Sequence, residues 1–165
     1  MEEQLPVSDP FLLALKSIDW PAIRDCWPGV LPQSCELLGL SLFGDIFVRA
    51  ESGLVFIFKI TSGKLNQIAH CSEEFEWDLS QADKRTAWLM QPLAEAATAA
   101  GMVLEVGECL AFQTPPMLNG KLHPSNLVCL DLLKYHQGLS KLFPQLRDLS
   151  LGTRVVPVVI RPIYD

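Results

Sequence analysis

The sequence predicts an α+β fold, a mostly antiparallel sheet with helices packed on it behind an N-terminal helical lead. Three observations carry this. Residues 45–70 hold three short apolar runs divided by "ESG" and "TSG", each turn with a glycine able to take positive φ, the signature of a strand meander. Residues 72–100 then lose the strand period and read as helix up to Gly101. Strand character returns in "MVLEVGECLAFQTPP" and at the start of "SNLVCLDLLKYH", and the second of these runs into another helix.

The elements follow in order. Ser8 or Asp9 as N-cap, with Pro10 at the first helical position, predicts a helix over "SDPFLLALKSIDW". Pro21 starts a second short helix, "PAIRDCW", which Pro28-Gly29 ends, and "LPQSCELLGL" is expected to be a third. Trp20 and Trp27 are placed by these helices to cover the sheet edge. In the first strand of the meander Ile46, Val48 and Ala50 alternate with Phe47, Arg49 and Glu51, which predicts one buried face. The middle strand, "LVFIFKI", is apolar on both faces, as a central covered strand would be.

Ser72, Glu74 and Phe75 open a capped helix, with a break near Ser80. A longer helix over 83–100 follows, kinked or divided at Pro92 and packed across the sheet. Strands near 109–114 and 126–131 are expected to complete that sheet, joined through an Asn119-Gly120 turn. Leu54, Phe56, Phe58, Trp88 and Leu93 are expected in the core. The tail "RVVPVVIRPIYD" reads as an edge strand, because Pro157 and Pro162 each remove a ladder donor. The 165 residues divide into a lead over 1–41 and an α+β unit over 42–165, together one compact body.

Composition narrows the function classes. With 49% hydrophobic and 19% charged residues the chain can build a core. "MEEQLPVSDP" lacks the basic and apolar regions of a signal peptide, and no apolar run approaches a bilayer span, so the expected location is the cytoplasm, with no membrane partner. Five scattered cysteines without a CxxC pair are expected to be reduced. The net charge of −6 is uneven: residues 1–83 carry 13 acids and 5 bases, residues 84–165 carry 6 acids and 8 bases. An acidic half argues against direct nucleic-acid binding, which needs clustered Lys and Arg; it suits a basic partner, and equally ordinary solubility charge.

Candidate chemistry concentrates in "PPMLNGKLHPSNLVCLDLLKYH" (115–136), with His123, Cys129, Asp131 and His136. No CxxC or HxxxH spacing supports a metal site, and no cofactor motif such as GxGxxG, GxxxxGK[ST], GxSxG or HExxH occurs. Cys129, between Val128 and Leu130, reads as core, Asp131 as the N-cap of the following helix, and His123 as a surface turn residue; this predicts no catalytic residue and no metal ligand there. A second constellation is "EEFEWD". Glu73, Glu74, Glu76 and Asp78 near a helix start suit the helix dipole and solvent. The sharper reading makes them an acidic partner-binding surface with Trp77 as its aromatic anchor, against partial core burial for that tryptophan.

From about Leu42 to Thr153 the chain resembles the C-terminal domain family of type VI secretion immunity proteins that protect against DNase toxins. The residues that carry the likeness are "GDIFVRAESGLVFIFKITSGKLNQIAHCSEEF" and "GECLAFQTPPMLNGKLHPSNLVCLDLLKYHQGLSKL". They include a G-[DE]-[IV]-F opening, a glycine-aromatic-Pro segment with its turn, and an N-[IL] strand running into a helix. "WPGVLP" at 27–32 also resembles the Trp–Leu-Pro opening of the SMI1/KNR4-like immunity superfamily. The resemblance implies a non-catalytic immunity protein that binds and neutralises a cognate toxin, with a type VI secreted DNase as the implied candidate. Two other classes stay open: a small-molecule-binding or regulatory domain with a pocket beneath the sheet, and an enzyme with an unrecognised site.

Overall fold

A computed structural model describes residues 9–147, and the edge strand expected in the tail lies outside them. Four strands, β1 (Cys35–Leu40), β2 (Ile46–Ala50), β3 (Val55–Lys59) and β4 (Lys64–Ala69), form an antiparallel sheet in chain order. The meander is the one the turns predict: Leu40 pairs with Ile46, Phe47 with Ile57, and Phe58 with Leu65. β1 is a correction, since residues 31–40 were expected to be helical. Their apolar residues suit either period, and pairing with β2 decides for strand.

The start of the described chain is likewise not a helix. Asp9 Oδ1 accepts from Phe11 N, Leu12 bridges to Ser41, and Leu13 N donates to the Leu40 carbonyl, so the segment closes a turn and then lies along β1. Helix α1 (Trp20–Asp25) forms where Pro21 predicts it, capped by Asp19 accepting from Ala22 N.

Helices α2 (Ser72–Ser80), α3 (Ala82–Leu89) and α4 (Gln91–Ala99) follow β4. The helix over 83–100, expected to kink or divide at Pro92, divides in two just before it. Met90 takes a left-handed conformation (φ 47°), and Pro92, with no N–H to offer, sits in the first turn of α4. At the far end Gly101 (φ 86°) closes a Schellman motif, its N–H on Thr98 and that of Met102 on Ala97.

Strands β5 (Glu108–Phe112) and β6 (Leu127–Asp131) pair antiparallel, but in a separate two-stranded sheet rather than in the first one. Leu110 N donates to the carbonyl of Leu42, in the β1–β2 connection, which ties this ribbon to the rest. Between the two strands Asn119 takes positive φ, and Gly120 lies so close to Thr114 that a Cβ would fall 1.8 Å from its carbonyl oxygen. β6 passes directly into helix α5 (Leu132–Arg147).

Packing explains the rest of the pattern. Ile46, Phe47 and Val48 are all fully buried, so β2 is covered on both faces and not on one. On one side Ile46, Val48 and Phe58 meet Ile23 and Trp27 of the α1 region and Tyr135, Leu139 and Phe143 of α5. On the other, Phe47, Val55 and Ile57 meet Phe75 of α2 and Trp88 and Leu89 of α3. α4 instead packs Ala94 and Ala97 on Leu110 and Phe112 of the ribbon. Of the expected core residues, Phe58 and Trp88 are buried, whereas Leu54, Phe56 and Leu93 are only partly so.

One buried polar cluster joins these layers. Asp45 accepts from Ile60 N (2.8 Å), Ser41 Oγ (3.2 Å) and Lys59 Nζ (3.2 Å), and Lys59 also donates to the Trp88 carbonyl at the end of α3 (3.3 Å). A buried carboxylate so fully bonded costs little to keep and would cost several kcal/mol to orphan.

Candidate functional site

Helix α2 owes its orientation to two aromatic residues. Phe75 is buried and stacks on Trp88 with ring centroids 6.0 Å apart, and it tilts against Phe47 at 5.4 Å. With Phe75 turned to the sheet, Glu73, Glu76 and Trp77 fall on the outer face. Trp77 is 69% exposed, so the partial-burial reading does not hold for it. Glu74 and Asp78 are half-exposed at the sides of the helix.

The first turn fixes the acids. Glu74 Oε2 accepts from the His70 backbone N–H (2.6 Å) and lies 3.0 Å from His70 Nδ1. That N–H bond, first, holds the Glu74 carboxyl below the usual range; Glu73 is likewise lowered, chiefly by its own backbone N–H. Both therefore stay ionised well below neutral pH, at the helix end where the peptide dipoles favour negative charge. At the other end Ser80 Oγ donates to the Trp77 carbonyl (2.6 Å), which closes the helix before Gln81 turns into α3.

Nearby cations have partners of their own, although Arg49 and Lys84 still lie close enough to help lower Glu73 and Glu74. Arg85 forks onto Asp9 through two bonds of 2.8 and 2.9 Å and lies over Phe11, so it ties the N-terminal segment to α3. Lys84 Nζ sits 5.5 Å over the Trp88 ring. Arg49 bonds Glu36 and the Ser72 hydroxyl. The outer face of α2 is thus an exposed indole framed by acids.

The second constellation comes apart in three dimensions. Asp131 Oδ1 accepts from Lys134 N (2.9 Å), the cap its position predicts. His123 is exposed, with Nδ1 accepting from Ser125 N (3.1 Å). Cys129 is half-buried rather than core, its thiol 3.5 Å from the Val103 carbonyl, while the fully buried thiol is Cys109. Burial pushes both thiols up, Cys109 furthest, so neither is a ready thiolate at neutral pH. Among the described residues no three His, Cys, Asp or Glu side chains gather as a metal site would require.

His136 is the residue whose role the sequence reading missed. It is fully buried, accepts the Trp27 indole N–H at Nδ1 (2.9 Å), and donates from Nε2 to the Gly44 carbonyl (3.0 Å). Burial lowers its pKa to about 4. The signal was its place on the apolar stripe Leu132, Tyr135, His136, Leu139, Phe143, which only a satisfied neutral imidazole could join.

A concavity of about 560 Å³ lined by Ser34, Cys35, Glu36, Arg49, Ala50, Glu51 and Gly53 lies at the open end of the β1–β2 pair, not beneath the sheet. No helix among the described residues is long and apolar enough to cross a membrane.

Residues 69–142, a little under half of the chain, match the family described as T6SS immunity protein Tdi1, C-terminal. The match runs from the end of β4 through α2, α3, α4 and the β5–β6 ribbon into α5, and within that span it bears out the family resemblance read from the sequence. It supports a toxin-neutralising immunity role. The strands β1 to β3 and the Trp27–Pro32 segment lie outside it. A search of curated proteins found no match.

Proposed function

We propose that the protein acts in the cytoplasm as a non-catalytic immunity protein, and that it engages its cognate toxin through the outer face of α2. The observation that carries this is Trp77, 69% exposed among Glu73, Glu74, Glu76 and Asp78 and inside the family-matched segment. An exposed indole is costly to leave in water and anchors interfaces well, and surrounding carboxylates steer a basic partner into register. A DNase must hold a phosphate backbone and therefore presents a basic surface, which an acidic face could occupy in place of DNA. On this reading the protein binds the toxin and not nucleic acid, and needs no cofactor.

The experiment is binding to the cognate toxin by surface plasmon resonance over a salt series, with protection of toxin-expressing cells in parallel. Reversing Glu73, Glu74, Glu76 and Asp78 to Lys should slow association severalfold or more at low salt with the fold intact. Association of the unmodified protein should slow as salt rises, since exposed charges are screened beyond about 8–10 Å. Trp77→Ala should act mainly on dissociation. Unchanged kinetics together with full protection from the four-lysine variant would remove this face from the interface.

A further inference from the structure

On the sheet side opposite α2, a single chain of polar contacts joins three elements distant in sequence. Trp27 follows α1, Gly44 lies in the β1–β2 turn, and His136 is in α5. The ring of His136 must accept on one nitrogen and donate from the other, and only the neutral tautomer with its proton on Nε2 does both. Gly44 (φ 90°) permits the approach, since a Cβ there would stand 3.3 Å from Nε2.

We propose that Trp27, His136 and Gly44 form a proton-operated latch. It holds residues 19–31 against α5 and the sheet while His136 is neutral, and releases them when Nδ1 takes a proton. A protonated Nδ1 brings an N–H against the indole N–H, two donors with no acceptor between them. The imidazolium would also lie fully buried, a placement that needs a counter-charge.

The groups that could supply one are already engaged. In the β1–β2 turn Asp45 has both oxygens occupied, by Ile60 N on one side and by Ser41 Oγ and Lys59 Nζ on the other. In α5 the neighbouring Tyr135 accepts from Phe112 N through its hydroxyl, and burial pushes its pKa up, so it stays neutral. Asp131, Lys134 and Lys141 of the β6–α5 segment are exposed. In α1 Arg24 and Asp25 face each other in solvent, and the Cys26 thiol donates to the Ala22 carbonyl. Phe58 and Phe143 complete the Trp27 environment with apolar rings only.

With His136 titrating near 4 in place and near 6.5 when released, opening of residues 19–31 should become about 80-fold more favourable as pH falls from 6.5 to 4. Hydrogen exchange of the whole protein across that range, corrected for intrinsic rates, tests it. The expected result is that amides of 19–31 gain exchange ahead of those of β2 and β3, and that His136→Gln, which cannot titrate, abolishes the difference. The same acid response in His136→Gln, or simultaneous opening of 19–31 and the sheet at every pH, overturns the proposal. Should that variant not fold, Trp27→Phe removes only the indole donor. The NMR titration of His136 must then move to higher pH, and an unmoved titration overturns the latch.

Discussion

Two tryptophans lie on opposite sides of the same sheet and show how differently this molecule uses one residue type. Trp27 is 4% exposed, packed on Phe58 and Phe143, with its indole N–H taken up by His136. Trp77 is 69% exposed and its helix is anchored by a different ring, Phe75. The first is committed to the fold and has no surface left to offer. The second contributes little to the fold and is free for another molecule. What separates them is position: Trp27 faces the core, where His136 accepts its indole N–H, whereas on α2 Phe75 takes the inner place and leaves Trp77 outside.

The contrast breaks most sharply under truncation. Trp27→Ala should cost about 3–5 kcal/mol, from the lost ring and the unpaired His136, whereas Trp77→Ala should fall within about 0.5 kcal/mol of the parent. Urea unfolding followed by circular dichroism measures both, and equal midpoints for the two variants would show that the sides of the sheet are misassigned.

Acid comes next. The folded pKa of His136 lies below the free value of 6.5, so the unfolded chain binds the extra proton between about pH 6.5 and 4. Stability is therefore complete above that window and falls as pH drops through it, by on the order of 3 kcal/mol for a shift of this size. His136→Gln should flatten the profile of unfolding free energy against pH over this window, and an unflattened profile would assign the acid sensitivity to other groups.

Three further substitutions sharpen the map. Phe58→Ala should cost about 3–5 kcal/mol, but half-buried Phe56→Ala only about 1–3 kcal/mol, because less area leaves water on folding. Asp131→Ala should cost about 1 kcal/mol through loss of the bond from Lys134 N. Denaturant midpoints rank all three.

The sequence made some of this plain and hid the rest for definite reasons. β2, β3 and β4 were legible because glycine turns punctuate them, and α2 because acids and Phe75 mark its start and inner face. β1 was not, because "CELLGL" fits either period and its identity rests on partners six to fifteen residues away. The assignment of β5 and β6 to their own ribbon is likewise a long-range choice that no local spacing encodes. Pro92 announced a break in the 83–100 helix, but the chain makes it at Met90, in a conformation that seldom suits a side chain. In the candidate site the acids and Trp77 were readable as types; that the indole points outward depended on Phe75 winning the inner position. His136 was visible only as one of two nearby histidines, since its meaning lies in Trp27, 109 positions earlier.

The Phe75–Trp88 stack has a consequence for anyone who would work with a fragment. Both rings lie within the family-matched residues, yet the floor they rest on, Phe47, Val55 and Ile57, belongs to strands before position 69. A fragment cut to residues 69–142 would carry α2 with nothing beneath it. Its two large rings would then meet water, or each other's copies in a neighbouring chain, and aggregation would be the first thing observed. The smallest piece worth expressing for toxin-binding work has to begin ahead of β1, so that the helix that presents Trp77 keeps the sheet that aims it.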